Sequence, residues 1–310
     1  MNNTVFLKKG TNPNKHLFLI HAGNGEIEPY VQFCVSFPPK VNCWGLRADR
    51  FDDFSPKNRS ISSMAKSYIK QIKKIQPRGP YYLAGWCFGG VRAFEIALQL
   101  ESNGEKVDFL SIINSAPPVI DDQQKIHMVN NYSLLTTNDI QKKKVRFNLR
   151  TERKVIYKWL SLTNIPISSI HNELNRSKEY LWKSFVKKFN IPKYQNDLID
   201  VIKRDVPEDR AKAIPYFHNI TFLKLVYYLN VMRTDANAQV FYMPVRKVMA
   251  DVYFFEASNS PIKRKDDWNF YLKHPLKSFS VNGDHFSIFR LDHVEEFSTL
   301  FCNIFNQVTK

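Results

Sequence analysis

The fold of this 310-residue chain is indicated most clearly by one stretch, Tyr81-Tyr82-Leu83-Ala84-Gly85-Trp86-Cys87-Phe88-Gly89-Gly90. Its first six residues form a short, almost wholly apolar run, and the glycines after Cys87 open an amphipathic segment that begins at Val91. A continuous apolar run of this length is typical of a strand buried on both faces. The stretch therefore predicts a buried strand, a sharp turn at Cys87 and a helix.

Similar apolar runs occur on both sides of this stretch, and helical patterns separate several of them. A helix from Ile61 to Ile75 is predicted by apolar residues at helical spacing, with Ser60 as its N-cap, and the last helix follows His293. The alternation predicts an α/β fold with a mainly parallel sheet. The other predicted strands are Leu17–His21, Val41–Leu46, Asp108–Asn114, Asp251–Ala257 and Lys277–Gly283.

The alternation stops in residues 121–235, whose pattern predicts helices and loops and no strand. This block holds 21 Lys and Arg against 12 Asp and Glu, a net charge of +9, and includes the run Lys142-Lys143-Lys144. A helical insertion between sheet strands is most simply a lid over the carboxyl edge of the sheet, where open α/β sheets bind ligands. We therefore expect residues 1–310 to form one domain, with residues 121–235 as a helical lid.

Composition excludes several classes of protein. The four cysteines are too few for a disulfide scaffold, and the absence of a C-x-x-C pair excludes a zinc ribbon. The N-terminus lacks the apolar core of a signal peptide, and the longest apolar stretch, Ile220 to Met232, is too short to span a bilayer. We expect a cytoplasmic protein without a metal. The net charge of +16 would suit nucleic-acid binding, but the sequence contains no recognised nucleic-acid-binding motif.

Cys87 is the candidate nucleophile. The residues Gly85 to Gly89 follow the nucleophile-elbow pattern G-x-S-x-G, with Cys in place of Ser. The pattern demands small neighbours around a strained turn, and the turn brings the nucleophile to the N-terminus of a helix. The partial positive charge there favours a thiolate.

Two motifs resemble the thioesterase domains of nonribosomal peptide and polyketide synthetases, which are α/β-hydrolases. One is Ile75-Gln76-Pro77-Arg78-Gly79-Pro80 followed by the elbow stretch, and the other is Gly283-Asp284-His285-Phe286-Ser287-Ile288-Phe289. The resemblance covers nearly the whole chain, with Cys87 replacing the family's serine. It implies an α/β-hydrolase fold with a variable helical lid.

The resemblance also implies partners for Cys87. His285 lies where α/β-hydrolases place the histidine that acts as general base. Where many relatives have Asp-Ser after the next strand, this chain has Asn114-Ser115. We expect the amide oxygen of Asn114 to orient His285, in a Cys-His-Asn triad that rests as thiolate and imidazolium. Asp266 or Asp267 remains an alternative third member, because some relatives take their aspartate from a later loop.

The oxyanion hole is expected to use two backbone N–H groups. One belongs to Phe88, the residue after the nucleophile. The resemblance assigns the other to Ala22, in the loop after the first core strand. His21, beside it, is interpreted as structural.

These residues predict acyl transfer from a carrier-protein phosphopantetheine thioester through an acyl-Cys87 intermediate. The acyl group would pass to an amine, a thiol, an alcohol (with possible ring closure) or water, in natural-product biosynthesis. The enzyme would bind no cofactor itself, because the phosphopantetheine arrives on the carrier, and the basic lid would suit an acidic carrier. Two alternatives stay open: a hydrolase of the dienelactone-hydrolase type, and a non-catalytic protein that binds acyl groups or carriers.

Overall fold

A seven-stranded sheet organises the computed structural model, which describes residues 3–48, 59–118, 195–206 and 208–309. Its spatial order is β1-β3-β2-β4-β5-β6-β7, and all neighbours pair in parallel except β1, which pairs antiparallel with β3. The strands are β1 (Thr4–Lys8), β2 (His16–Ile20), β3 (Asn42–Leu46), β4 (Tyr81–Trp86), β5 (Val107–Ile113), β6 (Val252–Ala257) and β7 (Lys277–Val281).

Helices cover both faces of this sheet. Helices α2 (Ile61–Ile75) and α3 (Phe88–Ser102) pack on one face, and α1 (Pro29–Val35) and α7 (Val294–Val308) on the other. Two apolar cores result, one on each side, as expected when a parallel sheet is buried on both faces. The α/β class with a mainly parallel sheet is thus confirmed.

One strand and one α-helix of the sheet layers were not predicted from the sequence. The strand β1 lies at the edge of the sheet, and its burial is only partial, so its apolar signal is weak. The helix α1 has seven residues, too few to show helical periodicity, and begins with Pro29. The predicted helix Ile61–Ile75 has the predicted bounds, and the Ser60 hydroxyl accepts the Ser63 N–H at 3.1 Å.

The chain divides into two compact units. One comprises Met1–Asp49, Arg59–Ile120 and Ala238–Lys310, and the other Arg50–Asn58 and Asp121–Asn237. The described part of the second unit holds α4 (Gln195–Asp205), α5 (Glu208–Ala213), a 3₁₀ turn (Phe217–Asn219) and α6 (Phe222–Val240) up to Asn237. The position of this block as a lid stays a prediction, and the run Lys142-Lys143-Lys144 lies outside the described residues. Within the described ranges, no helix is long and apolar enough to cross a membrane.

Candidate active site

Cys87 occupies the sharp turn between β4 and α3 that the sequence predicts. Its backbone angles, φ 55° and ψ −129°, are ones that side-chain-bearing residues rarely adopt. The turn is held on both sides, because the Cys87 N–H donates to the Ile113 carbonyl and the Gly90 N–H donates to the Cys87 carbonyl, both at 3.0 Å. The half-buried Cys87 is therefore placed at the N-terminus of α3, where the helix dipole favours a thiolate.

The glycines around Cys87 are required by close backbone contacts. A Cβ atom on Gly85 would lie 2.1 Å from the Gly89 carbonyl oxygen, and one on Gly90 would lie 2.5 Å from Cβ of Ser115. No side chain fits at either position without moving backbone. Strand β4 and helix α3 can therefore meet at this angle only with glycine here.

Asn114 follows β5 and lies beside Cys87 across the sheet, because Trp86 and Ile113 are register partners. Its φ of 42° is left-handed, a conformation that asparagine tolerates better than most residues. The Asn114 N–H donates to the Phe255 carbonyl at 2.7 Å, which fixes the backbone. The side chain is 1% exposed. Two predicted site residues thus sit at the carboxyl ends of neighbouring strands.

His285 is carried by a tight turn after β7. Gly283 has φ 108°, and the Asp284 carboxylate accepts the N–H groups of Phe286 at 2.8 Å and Ser287 at 2.9 Å. These bonds lower the pKa of Asp284. The imidazole lies against the Trp86 ring, with centroids 5.2 Å apart. The turn and this ring contact fix where the imidazole lies.

The structure brings Asn114 and His285 into direct contact, but through the amide nitrogen. Nδ2 of Asn114 lies 2.8 Å from Nδ1 of His285, while Oδ1 accepts the backbone N–H of Ala257 at 3.2 Å. The expectation that the amide oxygen orients the imidazole was therefore wrong. The physical reason is the Ala257 N–H, because this donor at the end of β6 occupies the amide's one oxygen.

His285 is held in its neutral form. Desolvation by its surroundings lowers its pKa to about 4, although the nearby Asp284 carboxylate opposes that shift. An imidazolium would also direct an Nδ1–H at the Asn114 amide nitrogen, itself a donor. The expected resting imidazolium is therefore disfavoured by both solvation and hydrogen bonding.

Asp266 and Asp267, the alternative third members, lie in the 3₁₀ helix Lys265–Tyr271. Trp268 is the residue of this helix that enters the core, where its indole N–H donates to the Ser115 carbonyl at 3.0 Å. Asp266 is exposed, and Asp267 forms an ion pair with Arg264. Asn114 makes the contact to His285 instead. The catalytic role of Asn114 stays a prediction.

The segments that carry the predicted oxyanion donors, Ala22 and Phe88, lie against each other. A Cβ on Gly23 would come within 2.5 Å of the Phe88 ring, and one on Gly89 within 2.6 Å of the His21 carbonyl oxygen. His21 itself is buried, donates from Nδ1 to the Ala22 carbonyl and accepts the Tyr68 hydroxyl at Nε2, both at 2.6 Å. Burial lowers its pKa well below the usual value. These bonds give His21 a structural part in shaping the loop.

The other cysteines, Cys34, Cys43 and Cys302, are buried. Burial raises the pKa of Cys34, and it raises that of Cys302 to about 12, so both are poor nucleophiles. In the described ranges, no group of three or more His, Cys, Asp or Glu residues could hold a metal ion. Of the four thiols, Cys87 alone is not buried.

The strand order, the elbow at Cys87 and the histidine turn after the last strand together define an α/β-hydrolase fold. Residues 15–143 match the family model described as "Thioesterase domain". The solved Vlm2 thioesterase domain, with bound dodecadepsipeptide, has a TM-score of 0.59 at 16% identity over 96% of both chains. A solved four-domain nonribosomal peptide synthetase, AB3403, has a TM-score of 0.61 at 20% identity, over 98% of this chain and 20% of that one. The predicted resemblance to synthetase thioesterase domains is thus confirmed.

Among curated proteins, the chain is 28% identical over 296 residues to atromentin synthetase of Tapinella panuoides. The match covers 92% of this chain and 26% of the synthetase. The chain therefore spans about a quarter of the length of that relative.

Proposed function

We propose that this protein transfers an acyl group from a carrier-bound phosphopantetheine thioester through an acyl-Cys87 intermediate. The observation that carries the proposal is the elbow, in which Cys87 caps helix α3 with φ 55°. At the end of the next strand, Asn114 is hydrogen-bonded to His285. The thioesterase match at residues 15–143 supports an enzyme of this class. In this proposal Cys87 is the nucleophile, and Asn114 positions His285.

The first step exchanges one thioester for another. The Cys87 thiolate attacks the acyl carbonyl carbon, and a new carbon–sulfur bond forms to Sγ. The bond to the pantetheine sulfur breaks, and its electron pair leaves with that sulfur as a thiolate. The negative oxygen of the tetrahedral intermediate is stabilised by the backbone N–H groups of Ala22 and Phe88.

The partner and the pathway belong to the same proposal. A carrier protein is the natural source of a pantetheine thioester, and atromentin synthetase, the relative named above, is a synthetase. The net charge of +9 on residues 121–235 favours an acidic carrier. Phosphopantetheine is then substrate on the partner and not a cofactor of this chain, and the setting is natural-product biosynthesis in the cytoplasm.

The test is intact-mass measurement after mixing the protein with carriers that bear acyl-phosphopantetheine. The wild type should gain the mass of one acyl group, and Cys87→Ala should gain none. Cys302→Ala is the matched control, because it removes a buried thiol of raised pKa and should acylate like the wild type. Acylation of Cys87→Ala would refute the role of Cys87. Carrier binding without acylation of any cysteine would indicate a non-catalytic binding protein instead.

A further inference from the structure

The hydrogen bond between Asn114 and His285 has the opposite direction from the one in a Ser-His-Asp triad. There, a carboxylate accepts the Nδ1–H of the histidine, so that Nε2 is free to take a proton. Here, Nδ2 of Asn114 faces Nδ1 of His285 at 2.8 Å. An amide nitrogen can only donate, so Nδ1 must be the acceptor.

The amide cannot turn over without losing a second bond. Its Oδ1 accepts the Ala257 N–H at 3.2 Å, and a flipped amide would set Nδ2 against that backbone donor. Ala257 is fully buried and Asn114 is 1% exposed, so water offers no easy replacement for the bond from the Ala257 N–H. A buried donor without an acceptor is destabilising, because its lost hydrogen bond to water is not replaced. The observed orientation is therefore the stable one.

The orientation fixes the tautomer of His285. A neutral imidazole carries one proton, and if Nδ1 accepts a hydrogen bond, that proton is on Nε2. The low pKa of His285, about 4, keeps the ring neutral at pH 7. His285 then offers an N–H donor at Nε2 and has no free nitrogen with which to remove a proton.

We infer that Asn114 is a positioning residue that holds His285 as an Nε2–H donor and so selects thiols over water as acyl acceptors. The inference rests on the proposed acyl-Cys87 chemistry and specifies the second step, in which acyl-Cys87 passes its acyl group to an acceptor. Water must lose a proton as it attacks, and His285, the histidine that the described residues bring to Asn114, is not a base for it. A thiol can ionise in solvent first, and it then needs no base at the site.

The balanced second step mirrors the first. An acceptor thiolate attacks the carbonyl carbon of acyl-Cys87, and a bond forms from that carbon to the acceptor sulfur. The bond to Sγ breaks, and its electron pair returns to Cys87 as a thiolate. No proton moves within the site during either exchange. The Nε2–H of His285 can donate a hydrogen bond without giving up its proton.

Asn114→Asp tests the inference with the smallest change. Both carboxylate oxygens accept, so the Ala257 N–H keeps its partner while Nδ1 of His285 must become a donor. Nε2 is then free as a base. Acyl-Cys87 should be formed from a small acyl-pantetheine thioester and its discharge followed with and without free pantetheine. We expect hydrolysis to rise at least about tenfold, a small part of the roughly 10⁴ that tautomer control contributes in serine enzymes.

Asn259→Asp is the matched control, since it adds the same charge at an exposed position whose N–H donates to the Gly283 carbonyl on the turn that carries His285. The Asn259 side chain accepts from Ser258 through Oδ1, and an aspartate keeps that acceptor. The Asn259→Asp variant should leave the ratio of hydrolysis to thiol transfer unchanged. ¹⁵N NMR of histidine-labelled protein at pH 7 gives an independent readout, with the His285 signals assigned by His285→Gln. Nδ1 should be unprotonated in the wild type and protonated in Asn114→Asp.

A protonated Nδ1 in the wild type would overturn the inference, and so would unchanged hydrolysis in Asn114→Asp despite a switched tautomer. Equal gains in Asn114→Asp and Asn259→Asp would trace the effect to charge and would also overturn the inference. If the wild type forms no acyl-Cys87, the proposed function fails together with the choice of acceptor. The NMR signals then still decide whether Asn114 sets the tautomer.

Discussion

At the residue scale, the neutral state of His285 links the candidate chemistry to stability. The pKa of His285 is lowered to about 4 in the folded protein, while an exposed histidine in the unfolded chain titrates near 6.5. Below pH 6.5 the unfolded chain binds a proton that the folded chain refuses. The contribution of this residue to stability is therefore complete above about pH 6.5 and is lost as the pH falls towards 4.

This linkage predicts the effect of acid on a variant. Between pH 7 and pH 5 the wild type should lose about 2 kcal/mol more of its free energy of unfolding than His285→Gln. Glutamine at this position does not titrate, and its oxygen can accept the Asn114 amide. Urea unfolding of both proteins at the two pH values provides the measurement. Equal losses would mean that His285 is not held neutral.

The residues of the candidate site could be predicted from the sequence, but the direction of the hydrogen bond between Asn114 and His285 could not. Cys87, Asn114 and His285 each follow a strand in a recognisable motif, so their proximity follows from the alternating pattern. The direction of the bond between Asn114 and His285 depends on the Ala257 N–H, which lies 143 residues further along the chain than Asn114. A backbone donor has no sequence signature, so only the pairing of β5 with β6 reveals it.

At the element scale, the join between β4 and α3 explains why the elbow tolerates no side chain at its glycines. Gly85→Ala would place a methyl group 2.1 Å from the Gly89 carbonyl oxygen and force the strand and helix apart. We expect a loss of about 3 kcal/mol in the free energy of unfolding, at the upper end for overpacking. Acylation of Cys87 should fall as well, because the turn that presents the thiol moves.

Gly104→Ala separates this steric effect from a backbone effect. Gly104 follows the C-cap of α3 with φ 77°, and nothing lies within 4 Å of its added Cβ. The Gly104→Ala variant should lose only about 1 kcal/mol in its free energy of unfolding, which is the cost of an alanine in the left-handed conformation. Acylation of Cys87 should be unchanged in this variant. Urea unfolding and single-turnover acylation of both variants compare the two. Similar losses in both would show that the contact at Gly85 relaxes at little cost.

At the scale of the whole molecule, charge is the property that the sequence reports most directly. The block 121–235 is the more basic part of the chain, yet its cluster Lys142, Lys143, Lys144 and Arg146 lies outside the described residues. The cluster would attract acidic partners over about 10 Å at moderate salt. The amino-acid sequence shows that this charge exists, but it does not show which of these side chains would contact a partner.

Replacing these four residues by Glu should raise KM for a carrier-bound thioester and weaken its dependence on salt. Turnover of a small pantetheine thioester should remain nearly unchanged, because it needs no carrier. Steady-state kinetics of both substrates at low and moderate salt make the comparison. A similar loss on both substrates would indicate a damaged fold, and the recruitment hypothesis would be abandoned.

The bond from Ala257 to Asn114 has a consequence for how such genes diversify. Codons for Asn and Asp differ at one base, and so do some codons for Cys and Ser. Because either side chain at position 114 satisfies the same backbone donor, neither exchange requires an insertion or a shifted strand. Two point mutations therefore separate this candidate site from a site with serine and aspartate at the same positions. A laboratory selection for a new acyl acceptor can begin with a library of only these two codons.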